Sequence, residues 1–71
     1  MQNKLGYNPH QFKVGDMLEA TDYGLRKGTL LLVTEVYWRG DTPFYSVLHL
    51  SSGQTVPYNK VYIELSCIKV A

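Results

Sequence analysis

The chain has 71 residues, and its conventional material for acid–base, nucleophilic or metal chemistry comes down to two histidines, one cysteine and six acidic residues. His10 and His49 have no ligand-type neighbours at the short spacings of a zinc or iron site, so no metal is expected. Cys67 sits between Ser66 and Ile68 in an apolar closing segment with no positioned base nearby in sequence. A thiol in such a place reads as a small buried hydrophobe and not as an activated nucleophile. A domain of this length also has little room for the enclosed pocket that catalysis usually needs. The expectation is a protein without catalytic residues, without a cofactor and without enzymatic activity.

Binding chemistry is better supplied. Six tyrosines among nine aromatic residues exceed what so small a core can bury with every hydroxyl satisfied, so several are expected at the surface. Tyrosine gives large contact area at low entropic cost, which is why it is enriched at protein interfaces. Tyr37 and Tyr45, expected to face each other beside His49, make the first candidate patch, with Tyr23 as a further anchor and Arg39 as a rim charge. Leu5, Tyr7, Pro9 and Phe12 are a second candidate, a set of anchors without periodicity that is able to lie along another chain. Arg39-Gly40-Asp41 is the tripeptide read by adhesion receptors, but its simpler reading is the polar tip of a hairpin.

Charge gives less direction. Seven Lys and Arg against six Asp and Glu leave a net charge of +1, without the basic bias of a typical nucleic-acid binder. The cations are interleaved with acids along the chain, and only Arg26-Lys27, joined by Lys13 if the intervening loop folds back, promises a local site for phosphates. Nucleic acid is therefore an alternative partner and a protein the favoured one.

The elements that must position these residues are strands. Val, Ile and Thr total fourteen and the alanines only two, a composition suited to pleated surfaces and poor for helices. Turn signals recur about every ten residues, from Gly15-Asp16 through Lys27-Gly28 and Arg39-Gly40-Asp41 to Ser52-Gly53. Five strands are expected, near 16–21, 29–38, 44–50, 54–58 and 66–70, with an N-terminal arm over 1–11 and one domain over 12–71. The segment 59–64 is expected to make a single 3₁₀ turn. If the loop 39–43 pairs Trp38 with Phe44, the core face carries Leu30, Leu32, Val36 and Trp38 opposite Phe44, Leu48 and Leu50. A bulge in the long second strand would move half of it to the other face.

A chain this short buries only about 60% of its unfolded surface, so self-association or docking on something larger would help it. Its longest uninterrupted apolar run, Leu30 to Val33, is far shorter than a membrane span, and no secretory leader is read at its start. A cytoplasmic protein with a reduced thiol is the expectation.

The run Lys13-Val14-Gly15-Asp16, then Gly28 leading into Leu32-Val33-Thr34-Glu35-Val36, then Tyr45-Ser46-Val47-Leu48, the Ser52-Gly53 turn and the closing segment Val61 to Ile68 resemble an SH3-like small barrel. The pattern is similar to KOW and Tudor-type modules and to short phage-encoded proteins of that fold. The resemblance implies an all-β, five-stranded small barrel acting as a protein-binding module, one that docks on a host or phage protein in the host cytoplasm and modulates it by occupancy. A KOW-like nucleic-acid or transcription-complex factor using Lys13, Arg26 and Lys27, or a structural subunit of a larger, homo-oligomeric or mixed assembly, are its other implications.

Overall fold

The fold follows from where the apolar alternation changes phase and what covers the face it creates. In a computed structural model, which describes residues 8–71, the strands are β1 (Met17–Ala20), β2 (Leu30–Arg39), β3 (Thr42–His49), β4 (Gln54–Asn59) and β5 (Cys67–Lys69), with one helix, α1 (Lys60–Ser66). All five strands run antiparallel in one sheet of order β4-β3-β2-β1-β5. The protein is all-β apart from α1, and each expected strand lies within two residues of its place. The sheet is barrel-like but not closed, because β4 and β5 remain its two edges. Pro57 lies in the middle of edge strand β4, where a ladder tolerates a residue that has no N–H to give.

The central hairpin turns more tightly than the sequence suggested. Arg39 pairs with Thr42, so the loop is the two residues Gly40-Asp41, and Gly40 takes the positive φ (60°) that the first position of a type II′ turn requires. Tyr37 therefore pairs with Phe44, and Val36 with Tyr45. A β-bulge follows, with the register shifting between Val33 and Glu35 and Thr34 left over. The Thr34 hydroxyl donates to the Ser46 carbonyl across the gap (3.1 Å).

These two features overturn the expected core face. Leu31 and Val33 of β2 and Tyr45 and Val47 of β3 are the buried set, while Leu30 and Leu50, expected inside, are exposed. Beyond the bulge the parity of β2 changes, and Val36 packs against the core. Trp38 and Phe44, also expected inside, are half-buried and outside the core cluster. Leu18 and Ala20 of β1, Ile63 of α1 and Cys67 of β5 complete the core with Phe12.

An open sheet needs its inner face covered, and two segments cover it. Residues 8–12, the end of the expected N-terminal arm 1–11 and the first residue of the domain, cross that face as a strap; Phe12 is buried in the core, and the His10 ring meets Tyr45 edge-on at 4.9 Å. His10 Nε2 lies 2.9 Å from the Phe44 carbonyl. Leu5 and Tyr7 of the expected arm lie outside the described residues. The second cover is α1, where a 3₁₀ turn was expected. Asn59 caps it by accepting from the Val61 N–H (2.8 Å), Lys60 and Glu64 bridge one turn of it (2.8 Å), and Ile63 plugs the core. Seven residues suffice because packing, and not propensity, holds them.

Strap, sheet and helix meet at one hydroxyl. Tyr45 Oη donates to Glu64 Oε2 (2.6 Å) and accepts from the Phe12 N–H (2.9 Å), and the same carboxylate oxygen accepts from the Gln11 N–H (2.8 Å). Burial, aided by the neighbouring Glu64, pushes the Tyr45 hydroxyl well above the ordinary tyrosine value. Burial also works to raise Glu64, but the hydrogen bonds from Lys60, Tyr45 and Gln11 prevail and hold its carboxyl below the usual 4.5.

Tyr45→Phe removes the shared hydroxyl and leaves the buried Phe12 N–H without an acceptor. The expected loss is about 1–3 kcal/mol in urea denaturation, and an unchanged midpoint would show that the clasp does not hold the strap. Because Glu64 titrates lower in the folded protein than in the unfolded chain, its stabilisation is complete above pH 4.5 and is lost as the pH falls through the folded value. Glu64→Gln should therefore flatten the acid limb of the stability–pH curve below pH 4.5, and identical limbs in the two proteins would contradict the assignment.

Candidate functional site

The inner face is fully engaged, so contact surfaces must be sought on the outer face and along the seam between β4 and the loop 21–27. On the outer face, alternation places Leu30 and Leu32 of β2 opposite to buried Leu31 and Val33, and Leu48 of β3 opposite to buried Val47. Leu32 pairs directly with Leu48 on one side and with Met17 of β1 on the other. The Leu50 N–H donates to the Leu30 carbonyl (3.2 Å), and Leu30 pairs with Glu19, which pairs in turn with Ile68 of β5. The result is a row of Met17, Leu32 and Leu48 with Leu30 and Leu50 beside it, Leu30 43% and Leu50 42% exposed, and Glu19 separates this surface from exposed Ile68 of β5. No element of residues 8–71 covers them.

At one end this face runs into a groove of about 470 Å³, lined by Arg26, Lys27, Gly28, Thr29, Leu30, Leu50 and Ser51. Its basic wall is a fixed turn. The Thr29 N–H and hydroxyl both donate to the Arg26 carbonyl (3.1 and 2.7 Å), and the Gly28 N–H donates to the Ala20 carbonyl (2.9 Å). Among the described residues the ion pairs are Lys60–Glu64 and Lys69–Asp16, so neither Arg26 nor Lys27 is neutralised. Lys13 does not join them. It precedes β1 while Arg26 and Lys27 follow it, at least ~10 Å along the strand by the usual rise, and its own N–H is committed to Asp16 Oδ2 (3.0 Å). That bond first, and then the Lys69 charge, hold the Asp16 carboxyl below its ordinary value against the effect of burial.

The tyrosine patch expected from the sequence is divided by the structure. Tyr45 has no exposed surface and is not accessible to a partner; the bulge and the tight turn bring it inward and set Tyr37 beside Phe44 instead. Tyr37 is on the outer face, its ring 5.9 Å from that of Phe44, and the Arg39 guanidinium lies over Phe44 at 4.7 Å, a cation–π contact at the hairpin tip. His49 turns the other way, towards the seam, where its Nε2 lies 3.0 Å from the Tyr58 hydroxyl. Tyr58 stacks on Tyr62 of α1 (5.4 Å between centroids, 20° between planes). Burial, with lesser effects from Tyr62 and Cys67, raises the Tyr58 hydroxyl above its ordinary value. Gly24 lies so close to Tyr62 that a Cβ there would come within 2.6 Å of the hydroxyl, which brings the loop carrying exposed Tyr23 beside α1.

Sequence reasoning missed the aliphatic face and the Tyr58–Tyr62 pair. The first was legible as Leu30, Leu32, Leu48 and Leu50 but was assigned to the core; the second had no signal until α1 replaced a 3₁₀ turn. Among the described residues no group of three or more His, Cys, Asp or Glu is arranged to hold a metal ion. Comparison with protein-family models, with curated proteins and with solved structures finds no match.

Cys67 is 4% exposed, and burial pushes its thiol up to about 11. Modification by a thiol reagent at neutral pH should be slow and should accelerate with urea in parallel with unfolding; rapid stoichiometric reaction of the folded protein would contradict the buried placement.

Proposed function

We propose that this protein is a non-catalytic protein-binding module that docks through the outer face of its sheet. The observation that carries the reading is the aliphatic surface made by Leu30, Leu32, Leu48 and Leu50 with Met17, which no element of residues 8–71 covers. Scattered exposed leucines are ordinary, but a contiguous apolar surface on a small chain is the mark of an interaction site. The aromatic patch anticipated at Tyr37, Tyr45 and His49 gives way to this face, with Tyr37, Phe44 and Arg39 at its hairpin end as secondary contacts. Tyr23, 58% exposed, lies on the loop whose Gly24 approaches Tyr62 of α1.

The resemblance to short phage-encoded SH3-like proteins extends the proposal. On that reading the protein acts in the host cytoplasm, on a host or phage protein, and alters it by occupancy. No described helix is long and apolar enough to cross a membrane, which is compatible with that setting. The nucleic-acid alternative has less support, since Lys13 stands apart from Arg26 and Lys27 and the rings nearest to one another lie at the hairpin tip, in the core and in the seam.

The test begins with a partner captured from a cell extract and then purified. Added to isotopically labelled protein, it should shift the amide resonances of Leu30, Leu32, Leu48 and Leu50. Leu30→Ser/Leu50→Ser should weaken that binding by about tenfold or more, equivalent to about 1.4 kcal/mol, at a nearly unchanged urea midpoint. Undiminished affinity, or shifts confined to Tyr23, Tyr58 and Tyr62, would move the docking site to another surface. Binding to single-stranded RNA that weakens steeply with salt would favour the alternative class.

A further inference from the structure

Two cations and two leucines share the groove at the end of the outer face, and their combination specifies a ligand. Arg26 and Lys27 stand on a turn whose backbone hydrogen bonds are already made, so their main chain is in place before anything binds. Leu30 and Leu50 line the same groove, both more than two-fifths exposed and joined by a backbone hydrogen bond. The groove, about 470 Å³ in volume, is largely open to solvent. We infer that this groove receives an extended segment of a partner protein in which Asp or Glu alternates with large aliphatic residues, the carboxylates meeting Arg26 and Lys27 and the aliphatic side chains packing on Leu30 and Leu50. The inference rests on the docking role of the outer face and names the chemistry of what docks at one end of it.

The lining itself chooses between possible occupants. A nucleic acid would find the cations, but the rest of the groove is Gly28, Thr29, Leu30, Leu50 and Ser51, without an aromatic ring on which a base could stack. Aliphatic floor beside positive charge suits a peptide in extended form, whose successive side chains point to opposite sides and so present acid to one wall and leucine to the other. A second copy of this chain, meeting groove to groove about a two-fold axis, would set Arg26 and Lys27 against their own kind. The guanidinium fork of Arg26 offers a carboxylate paired hydrogen bonds, so it is expected to contribute more than the neighbouring lysine.

Three synthetic peptides titrated into labelled full-length protein test this: one of alternating Asp and Leu, one of alternating Lys and Leu, and one of alternating Asp and Ser. The Asp/Leu peptide should shift the amides of Lys27, Gly28, Leu30, Leu50 and Ser51 and bind about tenfold or more tightly than either control, with affinity falling as salt rises. Arg26→Glu/Lys27→Glu should abolish the preference for acid, and Leu30→Ser/Leu50→Ser the preference for leucine. Equal binding of the Lys/Leu peptide, or shifts elsewhere on the molecule, would overturn the inference. So would tighter binding at the same amides by oligo-dT or anionic lipid vesicles, or a dimer in sedimentation that the leucine variant abolishes. If a purified protein partner loses affinity for the leucine variant but not for the charge-reversed one, the docking face stands and the acidic segment is refuted.

Discussion

The hydroxyl of Tyr45 is the point on which the architecture depends. A five-stranded sheet that does not close has an inner face to hide, and this chain hides it with a strap of residues 8–12 on one side and a seven-residue helix on the other. Neither cover is strong alone. The helix is shorter than any that holds itself together in water, and the strap makes no ladder with a strand. Tyr45 and Glu64 tie both to the same strand, through partners 33 and 53 residues apart in the chain. Such a link is electrostatically strengthened by the low polarity around it, and for the same reason it is costly to leave half made.

Among residues 8–71, covering the inner face leaves no element for the outer one. Phe12 and Ile63 are directed inward, and the aliphatic surface across β1, β2 and β3 stands uncovered by these residues. A small domain has too few elements to sandwich its sheet, and one that keeps leucine on the bare side retains surface suited to a second protein. The proposed docking role is in this sense a complement of the clasp: the elements that close the molecule on one side define what remains open on the other.

Strands were legible because turns punctuate them and β-branched residues fill them. Faces were not. Leu30 to Val33 is an unbroken apolar run in which no alternation says which leucine is inside, and the bulge at Thr34 reverses parity halfway along the strand. The decisive difference was the length of one loop. Reading 39–43 as five residues placed Pro43 outside the ladder, whereas Gly40 makes a two-residue turn and Pro43 pairs with Trp38. That slip of one residue exchanged Tyr45 for Phe44 as the inward side chain. The Gly at the first turn position was the available signal. Tyr45 itself carried the right chemistry and the wrong address, since its hydroxyl found an internal partner 19 residues away that no local pattern announces. Arg26 and Lys27 were legible as a pair, but the leucines that turn them into one wall of a groove had been placed inside.

The edges of the sheet bear on how recognition could change over evolutionary time. Pro57 interrupts the donors of β4, and β5 has only three residues, so neither border offers a long backbone template for another strand to copy. A partner joined by main-chain ladders would tolerate almost any sequence along its length. One received on the outer face must instead be matched side chain by side chain. On the proposed role, the identity of the partner would be written in a few leucines and two cations, and single-codon substitutions at those positions would retarget the module while the clasp, the bulge and the core stay untouched.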